Sequence, residues 1–179
     1  MPEHARTLQL EALDPAAFAP FGDVIAARVG VQTFAINQGF ATRYHDLAQV
    51  DVGAEGGAVC VSVFSALPRA LPLRLSVMER HPLGSQAFVA MSELPFLVVV
   101  APATPVLDLA AIRCFLAQPG QGVNYAKGVW HHPLIALQRA SDFLVIDRRG
   151  GAGHSNLDEV DVHSASLWVT ASGSPGKQP

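Results

Sequence analysis

Short stretches in which apolar and polar residues alternate, separated by turn sequences, dominate this chain of 179 residues. The alternation is plainest over residues 59–64 and 73–78, and a period of two indicates half-buried strands. Turn residues rich in Gly, Pro, Ser and Asp separate the segments. Short strands at this close spacing predict an all-β sandwich or barrel. Further strands are predicted over residues 86–91, 95–100, 129–137, 142–148 and 166–170.

A few short helical turns complete the predicted secondary structure. Asp14 is a suitable N-cap, and Pro15 stands at the first helical position, where its missing N–H is not needed. Residues 108–113 form either a second turn or an irregular connection. Since no repeat, linker or charge block divides the chain, residues 1–170 are predicted to form one domain. Residues 171–179 have the composition of a flexible tail.

Composition excludes several classes of partner. A net charge of −3 and a pI near 6.1 give no broad basic surface of the kind that nucleic-acid binding needs. The longest apolar run is too short to span a bilayer, and the N-terminal sequence lacks the apolar region of a secretory signal. We therefore expect a cytoplasmic protein with a small-molecule ligand.

The segment from Leu73 to His81 contains the most informative polar residues. Counting by two from Leu73 puts Glu79 and His81 on the face of Leu75, which is expected to point inward. A buried carboxylate and imidazole are costly to desolvate unless they pair, bind a metal or contact a ligand. The alternative is a buried ion pair that only fixes strand register.

Two neighbouring segments add polar groups to this prediction. A turn after His81 returns the chain at Gln86, and Gly128-Val-Trp-His131 follows in a later predicted strand. The spacing of Glu79, His81 and Gln86, together with this Gly-x-x-His sequence, resembles the two motifs of the cupin superfamily. That resemblance implies a double-stranded β-helix, or jelly-roll barrel, with Glu79, His81, Gln86 and His131 at the metal positions. Adjacent strand residues face opposite ways, so only one of His131 and His132 is expected to enter the pocket, and the motif favours His131.

Other polar residues are candidates for the same pocket. Gln86, Asn124 and His132 are candidate substrate-binding residues, and Lys127 is a candidate catalytic acid whose alternative is a solvated turn lysine. Asn37 and Gln38 have amides suited to a urea or amide group, and Arg43 has a guanidinium suited to a carboxylate. The alternative for this last segment is a polar turn with a surface pair between Arg43 and Asp46.

Several long motifs in order resemble the ureidoglycolate lyase family over nearly the whole chain. The resemblance implies a cupin-like barrel, usually a homodimer, that releases urea and glyoxylate from ureidoglycolate during allantoin breakdown, with nickel as the metal described for relatives. One position departs from the pattern, since Ala126 stands where the family usually has histidine. The motifs are Ile36-Asn-Gln-Gly39, Arg43-Tyr-His-Asp-Leu47, Glu79-Arg-His-Pro-Leu-Gly-Ser-Gln-Ala-Phe88, Gly122-Val-Asn-Tyr125, Gly128-Val-Trp-His-His-Pro-Leu134 and Asp142-Phe-Leu-Val-Ile-Asp-Arg148.

The expected chemistry is general acid–base catalysis, with or without a divalent ion. Glu79 or His81, with a pKa moved toward neutrality, would act as the base, and Lys127 or a histidine such as His131 as the acid. A metal held by the cupin-type residues would instead polarise the carbinol oxygen. The alternatives are an amidohydrolase that releases ammonia and carbon dioxide, another cupin-like isomerase or dioxygenase, and a non-catalytic small-ligand sensor.

Overall fold

Two largely antiparallel sheets face each other in the computed structural model, which describes residues 5–151 and 156–171. One helical segment, α1 (Pro15–Phe18), precedes them. The strands are β1 (Arg6–Leu8), β2 (Leu10–Ala12), β3 (Gly22–Ala26), β4 (Thr33–Ile36), β5 (Ala41–Tyr44), β6 (Ala58–Ala66), β7 (Leu73–Arg74), β8 (Val77–Arg80), β9 (Gln86–Ala90), β10 (Phe96–Ala101), β11 (Arg113–Ala117), β12 (Gln121–Tyr125), β13 (Trp130–His131), β14 (Ile135–Ala136), β15 (Ser141–Arg149), β16 (Asp158–Asp161) and β17 (Leu167–Val169).

Strands β6, β8–β13 and β15 have the strand order of an eight-stranded jelly roll. One sheet runs β3-β12-β9-β15-β6, and the other runs β16-β8-β13-β10-β11-β2. From β6 onward the chain crosses repeatedly between the sheets, whereas the β10–β11 hairpin and the consecutive strands β13 and β14 stay within one of them. The predicted all-β, cupin-like jelly-roll barrel is confirmed.

Two apolar cores lie on the two faces of strand β10. Val98 and Val100 point into the barrel, between the sheets, where they join Phe88, Phe115 and Phe143. The intervening residues of β10 point to a second core on the outer face of that sheet. The three-stranded sheet β1-β17-β7 contributes side chains to this second core. Burial on both faces explains why β10 is an unbroken apolar run.

The predicted strand over residues 73–78 is interrupted, and its face assignment was partly wrong. The structure has β7 and then β8, with Leu75 and Ser76 between them. Because this break shifts the alternation, Met78 joins Leu73 and Leu75 in the second core. Glu79 nevertheless faces the barrel interior, since the register pairs it with His131, which is in turn opposite Val100. The predicted strand over 129–137 is likewise divided, into β13 and β14.

The predicted helical turns are present. The Asp14 carboxylate accepts hydrogen bonds from the backbone N–H groups of Ala16 and Ala17 at 2.9 and 3.1 Å. Within residues 108–113, the segment Leu109–Ala111 is a 3₁₀ turn capped by Asp108. Three further 3₁₀ turns are described: Asn37–Gly39, Ala54–Gly56 and His163–Ala165.

Two further sequence predictions concern the C-terminal tail and the absence of a membrane-spanning segment. Residues 172–179 of the predicted tail lie outside the described residues. No helix within the described ranges is long and apolar enough to cross a membrane.

Candidate active site

Glu79, His81 and His131 lie together at one end of the barrel. Strand β8 holds Glu79, β13 holds His131, and the antiparallel register sets these two residues opposite each other. His81 follows β8 directly. Gly128 has a φ of +79°, which favours glycine, and its N–H donates to the His81 carbonyl oxygen at 2.9 Å. This turn brings the residue after β8 next to the start of β13.

Backbone carbonyls fix the protonation of both imidazoles. Nδ1 of His81 lies 2.7 Å from the Asn156 carbonyl oxygen, and Nδ1 of His131 lies 3.1 Å from that of Val129. Because a carbonyl only accepts, each Nδ1 is the protonated nitrogen and each Nε2 has a free lone pair in the neutral ring. Both Nε2 atoms are buried without a hydrogen-bond partner.

The three side chains have the donor set of a divalent metal site. One ligand atom from each of Glu79, His81 and His131 lies within 4.8 Å of the others. Nε2 of His131 is 3.3 Å from Oε1 of Glu79, but the two atoms do not form a hydrogen bond. The lone pair of this nitrogen therefore lies close to the carboxylate. A divalent cation between the three side chains would accept a ligand atom from each of them. The backbone carbonyl that accepts from each Nδ1 orients the imidazole, as is usual for metal-bound histidines.

Electrostatics keeps Glu79 and His131 in their metal-binding forms. Burial alone would raise the pKa of Glu79, but contacts with His131 and the nearby His81 and His132 outweigh it and lower that pKa. Burial lowers the pKa values of His131 and His132 despite opposing contributions from Glu79. The expectation that the Glu79 pKa moves toward neutrality was therefore wrong, because the imidazoles favour its ionised form.

A cavity of about 400 Å³ opens beside this cluster. Gln86 lines it together with Glu79, and Oε1 of Gln86 is buried without a hydrogen-bond partner. The structure thus brings together Glu79, His81 and His131, and it places Gln86 on the wall of the cavity that Glu79 also lines. The lining residues are Phe64, Ser65, Ala66, Glu79, Gln86, Phe88, Pro133 and Leu134.

Tyr125 is a member of this site that the sequence reasoning missed. Its ring stacks on His131 with centroids 4.4 Å apart and planes 23° apart. Burial, and then the charge of Glu79, raises the pKa of its hydroxyl, which therefore stays protonated. Alternation along β12 was the available signal, because Val123 and Tyr125 face inward while Asn124 faces away.

Asn124 and Lys127 lie in a different place from the one predicted. Both line a second, polar cleft of about 550 Å³, which Ala126 also lines. Nδ2 of Asn124 donates to Asp23 at 3.0 Å, and Nζ of Lys127 is 2.9 Å from Oδ2 of Asp51. The expectation that these residues share a pocket with Glu79 was wrong, since Asn124 leaves the face of β12 opposite to Tyr125 and Lys127 lies beyond the end of that strand. Ala126 therefore removes no side chain from the cavity of Glu79.

The remaining predicted substrate-binding residues are also apart from the cluster. Asn37, Gln38 and Arg43 are exposed on the β4–β5 hairpin. His132 is buried, and its Nδ1 lies 2.7 Å from the Pro133 carbonyl oxygen. It is not part of the three-residue cluster, in agreement with the prediction that His131 alone enters.

Comparisons with solved structures give only distant likenesses. Oxalate decarboxylase of Bacillus subtilis matches with a TM-score of 0.36 and 10% identity, over 58% of this chain and 24% of the other. A structure described under DMSP lyases matches with a TM-score of 0.34 and 20% identity, over 57% and 43%. Both TM-scores are low, so the assignment of the fold rests on the strand order and not on these likenesses.

Sequence comparison is decisive for the family. The family model described as ureidoglycolate lyase matches residues 5–170. A ureidoglycolate lyase of Burkholderia mallei is 54% identical over 92% of this chain and 94% of its own length. The ureidoglycolate lyase of Burkholderia cepacia is 52% identical over 88% of this chain and 88% of its own length. That of Pseudomonas paraeruginosa is 49% identical over 86% of this chain and 89% of its own length. The chain belongs to the ureidoglycolate lyase family.

Proposed function

We propose that this enzyme cleaves ureidoglycolate to urea and glyoxylate in the cavity beside Glu79, His81 and His131. The family match over residues 5–170 supports the reaction. The cluster of two unpartnered imidazole nitrogens and one carboxylate supports the location. Purine breakdown through allantoin is the pathway that uses this reaction in the family.

The reaction needs the removal of one proton, the delivery of one proton and the cleavage of one bond. Ureidoglycolate has a hydroxyl, a carboxylate and a ureido nitrogen on the same carbon. When the hydroxyl loses its proton, the oxygen forms a carbonyl and the carbon–nitrogen bond breaks. The departing nitrogen takes up a proton, so urea and glyoxylate leave and no water is consumed.

Glu79 is the residue that we assign as proton acceptor. Its lowered pKa leaves it ionised at neutral pH, and while Oε1 faces His131 the other carboxylate oxygen can take the hydroxyl proton. A lowered pKa also makes the carboxylate a weak base. Catalysis by Glu79 therefore requires something that makes the substrate hydroxyl more acidic.

A divalent metal held by Glu79, His81 and His131, with Gln86 as a neutral neighbour, would supply that effect by lowering the pKa of the hydroxyl. Nitrogen and oxygen donors accept nickel, zinc, iron or manganese, and nickel is the ion described for the family. Gln86 supplies an amide suited to the ureido group. Phe64, Phe88 and Leu134 form apolar walls that keep water from competing.

The experiment that tests this function is a product analysis. Purified protein is incubated with ureidoglycolate, and urea, glyoxylate and ammonia are quantified. A lyase releases equal amounts of urea and glyoxylate and no ammonia. An amidohydrolase releases ammonia instead, and that result would contradict the proposal.

Metal dependence is tested in the same assay and by a second readout. Chelator-treated protein should lose activity and regain it with nickel or another divalent ion. The metal should also raise the melting temperature, because a ligand that binds only the folded state stabilises it. Full activity in metal-free protein would contradict the assignment.

We propose further that the enzyme is a cytoplasmic homodimer. The family resemblance supports the dimer, and the N-terminal sequence supports the location. Light scattering after size-exclusion chromatography measures the first, and fractionation of cells measures the second.

A further inference from the structure

The cavity that would bind ureidoglycolate lacks a positively charged side chain. Its lining includes the Glu79 carboxylate, and none of the described lining residues is Arg or Lys. The substrate of the proposed function has a carboxylate of its own. Anion binding in proteins commonly uses a bidentate arginine, so the cavity is incomplete with respect to the substrate.

The β4–β5 hairpin, here called the arm (residues 33–44), has such an arginine and no partner strand in the described chain. Its two strands pair only with each other. Phe40 is 90% exposed at its tip, and Phe34, Ile36 and Tyr44 are also exposed. Arg43 pairs with Phe34 across the hairpin and is itself exposed. An apolar arm of this kind indicates a protein contact.

Strand β6 offers a complementary surface that leads into the cavity. It is the last strand of its sheet, and no described strand pairs with its outer edge. Val59, Val61 and Val63 are exposed along it, by 50%, 63% and 57%. Its final residues, including Phe64, line the cavity. A chain that covers β6 would therefore reach the cavity mouth.

The arm of the same protomer begins at the opposite edge of that sheet. Asp46, three residues beyond Arg43, lines the second cleft together with Asp23 of β3 and Asn124 of β12. In the strand order, β12 and β6 are separated by β9 and β15, which is roughly 14 Å at the usual strand spacing. Asn124 also faces away from the barrel interior. The arm is thus rooted outside the barrel and far from β6.

The exposed apolar area suits a contact between two copies. With about 200 Å² for each ring, the exposed parts of Phe34, Phe40, Tyr44 and Phe64 amount to about 400 Å². Ile36 and the three valines bring the total toward the roughly 800 Å² per partner that a stable interface buries. In a two-fold dimer the arm–β6 contact occurs twice.

We propose that two copies of this chain exchange arms, so that the arm of one lies along β6 of the other and its Arg43 binds the substrate carboxylate in that partner's cavity. The inference rests on the proposed function, because it assigns the carboxylate-binding group of the same site. Arm and β6 both have free strand edges and apolar side chains. The arginine supplies the positively charged side chain that the described cavity lining lacks.

Complementation between two defective subunits tests this exchange. Glu79→Gln and Arg43→Ala chains are co-expressed with different tags, and the heterodimer is isolated through both tags. Each homodimer alone should be impaired, the Arg43→Ala protein by about tenfold to a hundredfold in kcat/KM. In the heterodimer one cavity combines an intact Glu79 with an intact partner arm. It should therefore recover about half of the wild-type rate per dimer.

The outcomes separate the inference from the function on which it rests. A heterodimer no more active than the impaired homodimers, or a normal Arg43→Ala homodimer, overturns the exchange. Arg28→Ala, an exposed arginine outside the arm, is the matched control and should retain full activity. A wild-type protein that releases no urea contradicts the proposed function instead. Light scattering tests the interface separately from activity. The wild type should be a dimer, and Phe40→Asp should convert it to monomers. A monomeric wild type would overturn the proposed exchange.

Discussion

The imidazoles of His81 and His131 are each oriented by a residue from another part of the chain. Asn156 lies 75 positions after His81, accepts from its Nδ1 at 2.7 Å through the backbone, and accepts from the Leu83 N–H at 2.7 Å through its side chain. Tyr125 fixes His131 by stacking. The types of the central residues were evident from sequence. These outer contacts were not, because they depend on register between strands far apart in the chain.

Asn156→Ala keeps the backbone carbonyl that accepts from His81 and should weaken metal binding by up to about tenfold, the effect of one lost hydrogen bond. The side-chain bond to Leu83 is lost, and the segment that positions His81 loosens. Metal retained per subunit after dialysis against a competing chelator measures the effect. Asn156→Asp retains the acceptor oxygen and should stay close to wild type. Unchanged retention in Asn156→Ala would contradict this role.

At the scale of strands and turns, sequence alternation predicted most strands but missed the breaks within two of them. The break after β7 shifts the side-chain faces by one, which is why Leu75 packs in the second core while Glu79 faces the barrel interior. Glu79 was correctly expected to face inward, although the count from Leu73 gave the wrong reason. Asn124 faces away from the cavity because the alternation along β12 turns Val123 and Tyr125 inward. Local period alone cannot reveal an interruption that tertiary pairing imposes.

Gly128→Ala should destabilise the fold by about 1–2 kcal/mol, because its φ of +79° is unfavourable for a side chain. The added methyl group has room, with Ala103 at 3.7 Å, so backbone strain is the cause. Displacement of the bond to the His81 carbonyl should also lower activity. Denaturant unfolding and urea release are measured together. Gly53→Ala, which meets nothing within 4 Å and has an ordinary φ of −81°, is the control and should leave both unchanged.

At the scale of the whole molecule, burial of neutral histidines links stability to pH. The pKa values of His131 and His132 lie below their ordinary value of 6.5 in the folded state, while the unfolded chain titrates normally. Below about pH 6.5 the unfolded state binds more protons, so stability is lost as pH falls. The lowered pKa of Glu79 acts in the same direction below its ordinary value of 4.5.

Metal-free protein should therefore show a decreasing free energy of unfolding between pH 7 and 5, as measured by urea denaturation. His132→Asn should flatten this dependence. His163→Asn, at an exposed position, should leave it as in the wild type. An equally steep dependence in His132→Asn would contradict the contribution of the buried ring.

The initial rate of urea release from ureidoglycolate, compared between two variants, tests the central assignment most directly. Glu79→Gln removes the proposed proton acceptor and should lower the rate by about 10² to 10⁴-fold while the fold survives. Lys127→Gln changes the second cleft, where Nζ contacts only Asp51 among the ion pairs described, and should stay near the wild-type rate. Near-normal turnover by Glu79→Gln, with loss of turnover in Lys127→Gln, would place the chemistry in the second cleft and contradict this account.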